Sequence, residues 1–409
     1  MRALLSSVFS SALRVPGVRV LSAALPLALI VPGVWAQNVP PRDPTRDYAP
    51  TDQISSDAPR PDFVSSARRL FTAPELADAP DIWIDHSLRW VDFILDRYRP
   101  GLVEHPLRRA ALIRMDDVLH IPSAPEKELV RAFYRARMER AVEEIEHRRV
   151  ERGMRIWKLY NHGFLVRTAS VTLAFDMVPG EPGAEPGGFT MPPEMLDRMV
   201  AQADALFISH RHGDHASAEV VRRFLAAGKP VIAPENPWPD RADLRSIRLP
   251  ERSATVEHVL PVRGGAAAVR FLAYPGDQEG VPNNVTLVTT PEGYTVVHTG
   301  DEWQMDVPGD DFEWMSNIGR DHRVDVLLPN VWTYHLDRMV RGVHPALVIS
   351  GHENEMGHSV SHREDYTQSY SRLFGIGYPA IVMTWGESFL YERADFLARF
   401  GGQAVDPAP

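Results

Sequence analysis

The chain of 409 residues contains no cysteine and only three lysines, Lys127, Lys158 and Lys229. Without cysteine it can form no disulfide, present no thiolate to a metal and use no thiol nucleophile. It also lacks a G-x-S-x-G segment, so a covalent serine mechanism is not indicated. Any metal site must therefore be built from histidine and carboxylate side chains.

Clustered basic charge is also missing. The formal net charge is −10, and no extended run of arginine or lysine occurs. Because contacts to phosphates normally need clustered basic side chains, this pattern argues against a nucleic-acid substrate. The 44% hydrophobic and 24% charged residues are ordinary for a globular protein, and the length suffices for one large domain or two small ones.

Long hydrophobic runs are absent except near the N-terminus. The apolar run at 20–31 follows three arginines, contains Pro26 and is too short to span a bilayer comfortably. Small residues at 34–36 suit a cleavage site, so residues 1–36 are predicted to be a signal peptide cut after Ala36. The alternative is an uncleaved anchor. Cleavage would take the net charge from −10 to −13 and leave a periplasmic or secreted protein with no stable membrane span.

The remaining chain divides into three parts. Residues 37–61 are rich in proline, aspartate, arginine and serine, which predicts a flexible arm. Residues 62–153 are predicted to form a helical extension that packs on the core. One helix is expected within 73–99, and a second is expected to begin at a capping box at 123–126 and to run to about 153.

Residues 154–409 are predicted to form the core domain. Short apolar segments with turn residues between them predict strands. Their expected ranges are 156–160, 164–168, 171–176, 205–208, 231–233, 267–274, 285–290, 294–299, 324–328, 346–350 and 380–384. Helices are expected at 194–203 and, at the end of the chain, at 387–399.

The most informative segment is the H-x-H-x-D-H motif at 210–215, which lies between a predicted strand and a helix capped by Ser217. In an extended loop His210 and His212 point the same way, because side chains alternate with period two. Gly213 permits a turn, after which Asp214 and His215 can face a second point. Imidazole and carboxylate ligands suit zinc, with iron and manganese as alternatives.

At these residues the chain resembles the metallo-β-lactamase superfamily. It is more similar to the H-x-H-x-D-H hydrolases, such as glyoxalase II, RNase Z type phosphodiesterases and ascorbate-6-phosphate lactonase, than to true β-lactamases. The resemblance covers about residues 156–384. It implies a mixed α/β fold, an αββα sandwich here preceded by the helical extension, with a metal site between the edges of the two sheets.

The resemblance also implies functional residues at other strand ends. Asp301, in the His298-Thr-Gly-Asp stretch, matches an aspartate that bridges two metals, and His352 matches the last ligand. His298 lies inside a strand and is expected behind the ligands. Asp176, at the end of the third strand, matches a residue that supports the metal loop by hydrogen bonds; a capping role in a turn is the alternative.

One position departs from the family pattern. Glyoxalase II-like members carry P-G-H-T-x-G before the next hairpin, whereas residues 275–280 read P-G-D-Q-E-G, with Asp277 in place of the histidine. A carboxylate can still bind zinc, and its harder oxygen would favour iron or manganese somewhat. The substitution is equally compatible with a weakened or vacant first site.

The implied centre holds two divalent ions, with zinc expected first. Its first site would be His210, His212 and Asp277, its second Asp214, His215 and His352, and Asp301 would bridge them. The two ions would lower the pKa of a shared water molecule, with Asp214 and Asp301 as the catalytic carboxylates. Four residues follow the last ligand and are expected to line the pocket, to act as a general acid or to lie on the surface: Glu353, Glu355, His358 and His362.

The predicted function is an exported metal-dependent hydrolase that cuts an ester, lactone, amide or phosphodiester bond of a small or lipid-like molecule. The alternative is a non-catalytic or single-metal member of the fold that binds a ligand or partner.

Overall fold

The structure is a computed structural model that describes residues 81–184, 187–302, 313–394 and 396. The predicted signal peptide at 1–36, the arm at 37–61 and the first part of the helical extension lie outside the described residues. Within the described ranges, no helix is both long enough and apolar enough to cross a bilayer.

The helical extension contains three helices before the first strand. They are α1 (Asp81–Arg97), α2 (Pro106–Leu119) and α3 (Glu128–His147). The sequence predicted α1 and α3 but not α2. The predicted capping box at Ser123 is wrong, because its side chain makes no cap bond. The backbone N–H of Glu126 instead bonds to the carbonyl of Ser123 at 3.1 Å, which closes a short 3-10 turn before α3.

Two mixed sheets form the core. The first has the strand order β13-β1-β2-β3-β4-β5 and the second β12-β11-β10-β9-β8-β7-β6. The strands are β1 (Met154–Lys158), β2 (Phe164–Arg167), β3 (Thr172–Phe175), β4 (Ala205–Phe207), β5 (Val231–Ile232), β6 (His258–Val262), β7 (Ala267–Gln278), β8 (Val281–Thr289), β9 (Thr295–His298), β10 (Val326–Leu328), β11 (Leu347–Ile349), β12 (Ala380–Ile381) and β13 (Ser388–Tyr391).

The two sheets pack face to face, and helices cover their outer faces. One buried cluster joins inward side chains of both sheets, with the rings of Phe207 and Phe271 5.4 Å apart. A second cluster joins the outer faces to the helices. The helices after β3 are α4 (Pro193–Gln202), α5 (Ala218–Ala226), α6 (Glu313–Asp321), α7 (Leu336–Val343) and α8 (Tyr366–Phe374). The predicted αββα sandwich is therefore confirmed.

Two predicted boundaries are wrong. The strand expected to end at residue 274 continues to Gln278, because the β7 backbone pairs with β8 as far as Gln278 and Val281. Residues 388–391, expected to be helical, form strand β13 and pair antiparallel with β1 at the edge of the first sheet. In both cases pairing with a distant or neighbouring strand overrides the local pattern.

The topology brings the ends of several strands to one place. Strands β3 and β4 run parallel in one sheet, and β9, β10 and β11 run parallel in the other. Parallel strands end at the same edge of a sheet, so the segments that follow them lie close together. Asp176, the H-x-H-x-D-H loop, Asp301 and His352 all follow these strands.

Candidate metal centre

The H-x-H-x-D-H loop begins after β4 and ends at α5. The side chain of Ser217 accepts a hydrogen bond from the N–H of Val220 at 3.4 Å, as expected for an N-cap. This cap fixes the end of the loop, and β4 is buried between β3 and β5 at its start.

Four side chains converge on one point between the sheets. Nε2 of His215 lies 2.7 Å from Oδ2 of Asp214 and 3.1 Å from Oδ2 of Asp301. Nε2 of His352 lies 3.0 Å from the same oxygen of Asp301 and 3.5 Å from Oδ2 of Asp214. All four side chains are buried, and their donor atoms lie within 4.8 Å of one another. We call these four residues the donor cluster.

Asp176 supports the loop from behind. Its carboxylate accepts hydrogen bonds from the N–H and the hydroxyl of Ser209 at 2.7 and 2.6 Å, and its Oδ2 lies 2.8 Å from Nδ1 of His215. An imidazole held through Nδ1 presents Nε2 to a metal, which is the arrangement common in metal sites. Burial would raise the pKa of Asp176, but His298 and His215 lower it to about 2.

Amide side chains to which the resemblance assigned no role hold the two carboxylates. Asn161 donates to Oδ2 of Asp214 at 2.8 Å, and Asn330 donates to Oδ1 of Asp301 at 2.9 Å. Gln278 donates to the other oxygen of Asp301 at 3.3 Å. Asn330 follows β10 as Asp301 follows β9, but the resemblance implied no residue at this position.

The charges within the donor cluster stabilise each other. Burial alone would lower the pKa of His215, but Asp214 and Asp301 raise it well above its usual value. Burial would raise the pKa of Asp301, but the neighbouring His215 and His352 hold this pKa well below its usual value. Protons and a divalent cation would therefore compete for the same imidazole nitrogens, so metal affinity is expected to fall as the pH decreases.

Backbone strain concentrates at the same place. Asn161, Asp176, His352 and Asn354 all have left-handed backbone conformations, with φ between 41° and 68°. For residues other than glycine this conformation costs about 1–2 kcal/mol each. Such outliers cluster where surrounding structure forces a functional geometry.

The other predicted site residues lie around the donor cluster. His210 is buried with its ring 4.2 Å from that of His215, whereas His212 is half-buried and 4.6 Å from His210 between ring centres. Burial and the charge of His215 lower the pKa of His210 to about 3, so this imidazole is neutral. His298 is buried behind Asp176, and its Nε2 is hydrogen-bonded to the carbonyl of His162 at 3.1 Å.

The structure does not bring Asp277 into the donor cluster. Asp277 lies at the tip of the β7–β8 hairpin, and its Oδ1 accepts a hydrogen bond from the N–H of Gly280 at 2.7 Å. The adjacent buried Glu302 accepts from the N–H of Asp277 at 3.2 Å. Burial raises the pKa of Glu302 to about 8.

A second group of donors shares His352. His352, Glu355 and Glu364 are buried and also present donor atoms within 4.8 Å of one another. Nδ1 of His358 lies 3.2 Å from Oε2 of Glu355, and the side chain of His358 is 43% exposed. Glu355 and His358 therefore connect the donor cluster to the protein surface.

The residues of the donor cluster fit a divalent cation. The Nε2 atoms of His215 and His352, and that of the neighbouring His210, are buried and make no hydrogen bond of normal geometry. Those of His215 and His352 nevertheless lie 2.7 and 3.0 Å from carboxylate oxygens. Unpaired buried polar atoms are rare, and several at one point indicate a missing partner. Two imidazoles with two carboxylates are typical ligands of zinc, and also suit iron or manganese.

A cavity of about 720 Å³ adjoins the H-x-H-x-D-H loop, although none of the four donor-cluster residues lines it. Its lining includes Gly213 and Ser217 from the loop, Glu181 and Met191 from the segment after β3, and Trp238. A volume of this size is within the range of small-molecule pockets, about 300–1,000 Å³.

No protein-family model matches the chain, and no curated protein matches its sequence. Among solved structures, a metallo hydrolase from the archaeon Ignicoccus hospitalis is 17% identical, with a TM-score of 0.44; the match covers 58% of this chain and 98% of that one. A diiron β-hydroxylase from Streptomyces venezuelae is 16% identical over 60% of this chain and 55% of its own, with a TM-score of 0.40.

A proposed zinc-dependent hydrolase of the metallo-β-lactamase superfamily from Thermotoga maritima is 17% identical, with a TM-score of 0.30. That match covers 54% of this chain and 86% of the other.

Proposed function

We propose that this protein is a metal-dependent hydrolase whose active site is the donor cluster. The observation that carries the proposal is the convergence of Asp214, His215, Asp301 and His352 on one buried point, where the imidazole Nε2 atoms face carboxylate oxygens without a hydrogen bond of normal geometry. Within the donor cluster, the carboxylates of Asp214 and Asp301 face only the imidazoles of His215 and His352. A bound cation would pair with the carboxylate oxygens and the imidazole nitrogens at once.

A cation held there would polarise the scissile group and lower the pKa of a water molecule. The chain's own residues position the ligands. Asn330 binds one oxygen of Asp301, which leaves the other oxygen facing His215 and His352. Glu355, whose pKa is raised to about 8 by burial, is placed to pass a proton from the cluster through His358 to the surface.

We propose two ions rather than one. The residues that would hold the second are His210, His212 and Asp277, together with Asp301. The neutral, buried and unpaired Nε2 of His210 supports this arrangement. The competing proposal is a single-metal or non-catalytic binding protein. It is supported by the position of Asp277, whose carboxylate bonds to its own hairpin.

The proposed substrate is a small or lipid-like molecule with an ester, lactone, amide or phosphodiester bond. The volume of the cavity beside the H-x-H-x-D-H loop is consistent with a small-molecule substrate. The net charge of −10 and the absence of basic runs support a substrate other than nucleic acid. Export, with cleavage after Ala36, remains a proposal from the N-terminal sequence; a mature protein that begins at Met1 in the cytoplasm would disprove it.

The first test is metal content followed by hydrolysis. Purified protein is expected to hold divalent metal by elemental analysis, and to hydrolyse at least one member of a panel of chromogenic esters, lactones, amides and phosphodiesters. Removal of the metal with a chelator should abolish turnover, and re-addition of zinc, manganese or iron should restore it. Bound metal without turnover on any substrate would favour the binding protein.

The number of ions is tested at Asp277. Asp277→Ala is expected to lower the metal content from two ions per chain to one and to remove most of the turnover, whereas Asp277→His should restore both. Glu279→Ala, in the same hairpin turn, is the matched control and should retain the wild-type metal content. Unchanged metal content and turnover in Asp277→Ala would remove this residue from the ligand set.

A further inference from the structure

The segment that carries His352 is the least regular part of the metal centre. Residues 351–365 connect β11 to α8, and we call them the ligand loop. Both His352 and Asn354 have left-handed backbone conformations, with φ of 68° and 55°. Two such residues in close succession persist only where neighbouring structure holds them. The contacts that hold this loop therefore determine where His352 lies.

The imidazole of His352 lacks the usual support through its second nitrogen. Nδ1 of His215 is bound by Asp176, but Nδ1 of His352 makes no hydrogen bond, and the carboxylate of Glu364 is 3.8 Å away. Metal-binding histidines are normally oriented by a partner at that nitrogen. The position of His352 must therefore come from its backbone, and so from the ligand loop.

The ligand loop is bound by the helical extension. Asp116, in the last turn of α2, is completely buried and accepts hydrogen bonds at both carboxylate oxygens. Asn354 donates to one oxygen at 3.0 Å, and the N–H of Thr367, in the first turn of α8, donates to the other at 3.4 Å. The carboxylate of Asp116 thus connects α2 to the ligand loop near its start, at Asn354, and to α8 just after its end, at Thr367.

A second set of bonds joins the same two elements. The guanidinium of Arg363 donates to the carbonyls of Leu119 and Ile121, at 2.6 and 3.0 Å, where α2 ends. In return, Nε2 of His120 is hydrogen-bonded to the carbonyl of Arg363 at 2.9 Å. The positive charge of Arg363 also suits the C-terminal end of a helix.

From these contacts we infer that the helical extension sets the geometry of the metal centre, with Asp116 as the positioning residue for His352. The extension is thus part of the machinery that binds metal, although none of its described residues belongs to the donor cluster. The inference rests on the proposed function only in that the donor cluster must bind a divalent ion. It does not require that the protein hydrolyse anything.

The experiment measures cobalt binding in the full chain, because Co²⁺ bound by histidine and carboxylate has a visible spectrum that reports ligand geometry. Asp116→Asn places an amide opposite the amide of Asn354, and Asn354→Asp places two carboxylates opposite each other. Each single variant is expected to lower cobalt affinity about 10- to 100-fold and to change the spectrum, as loss of a supporting residue does.

In the double variant Asp116→Asn/Asn354→Asp, the new amide at position 116 can donate a hydrogen bond to the new carboxylate at position 354. Its amide oxygen can still accept from the N–H of Thr367. It is expected to recover most of the affinity and the spectrum, which a cycle of the four proteins would show as strong coupling. Asp92→Asn is the control, because Asp92 lies in α1 and pairs with Arg137 and Arg140 of the extension. It should leave cobalt binding unchanged.

Three results would overturn the inference. Single variants with wild-type affinity and spectrum would show that Asp116 only stabilises the fold. A double variant no better than the singles would show that the Asp116–Asn354 bond is not what positions His352. A wild-type chain that binds no cobalt would overturn this inference and the proposed function together, whereas cobalt binding without hydrolysis would affect the proposed function alone.

Discussion

Asp301→Ala is expected to abolish metal binding and hydrolysis while leaving the protein folded. Oδ2 of Asp301 faces both His215 and His352, so its loss leaves Asp214 as the one carboxylate of the donor cluster that faces these imidazoles. Metal affinity should fall by more than the roughly 10- to 100-fold that loss of a supporting residue costs. Elemental analysis after dialysis, together with circular dichroism, measures both parts of the expectation.

Ligands of one centre act as a unit, which gives a sharper form of this prediction. Asp301→Ala combined with His352→Ala should be little worse in turnover than either single variant. Asp243→Ala removes an exposed carboxylate that pairs with Arg222 and Arg241, and it should retain full metal content. If His352→Ala keeps the wild-type metal content and rate, His352 is not a ligand.

The second large effect is expected at Glu387, which joins the helical extension to the sandwich. Its buried carboxylate binds the buried guanidinium of Arg108 in α2 through two hydrogen bonds, of 2.5 and 2.6 Å. Arg137 of α3 lies 3.9 Å from the same carboxylate. Glu387→Ala would remove the carboxylate that is hydrogen-bonded to the buried Arg108 and leave it only the more distant Glu104, at 3.6 Å, so we expect a loss of about 3–5 kcal/mol in the free energy of unfolding.

Urea denaturation measures this loss. Glu257→Ala is the matched control, since its ion pair with Arg270 is exposed and should contribute no more than about 1 kcal/mol. Glu387→Gln keeps the shape and one acceptor oxygen and should fall between the two. A Glu387→Ala variant as stable as the control would show that the extension does not depend on this ion pair.

Much of the fold could be predicted from the sequence, because many of its strands and helices are specified by patterns within short segments. The strand-like segments around the H-x-H-x-D-H motif follow from short apolar runs with turns between them, and Ser217 caps α5 as its position predicts. Asp301 and His352 could be selected because the resemblance implies ligands at these positions, each of which follows a predicted strand and a glycine. Residues 388–391 were misassigned because an edge strand is defined by its partner, here β1, which lies more than 200 residues earlier.

The composition and the motif by themselves determined what kind of centre this protein can hold, since a chain without cysteine must use histidine and carboxylate ligands. Only the tertiary structure decided which donors meet. It gathers Asp214, His215, Asp301 and His352, leaves Asp277 in a hairpin, and brings Asp116 to the ligand loop. Spacing along the chain encodes local conformation, whereas contacts between segments hundreds of residues apart depend on how sheets and helices pack.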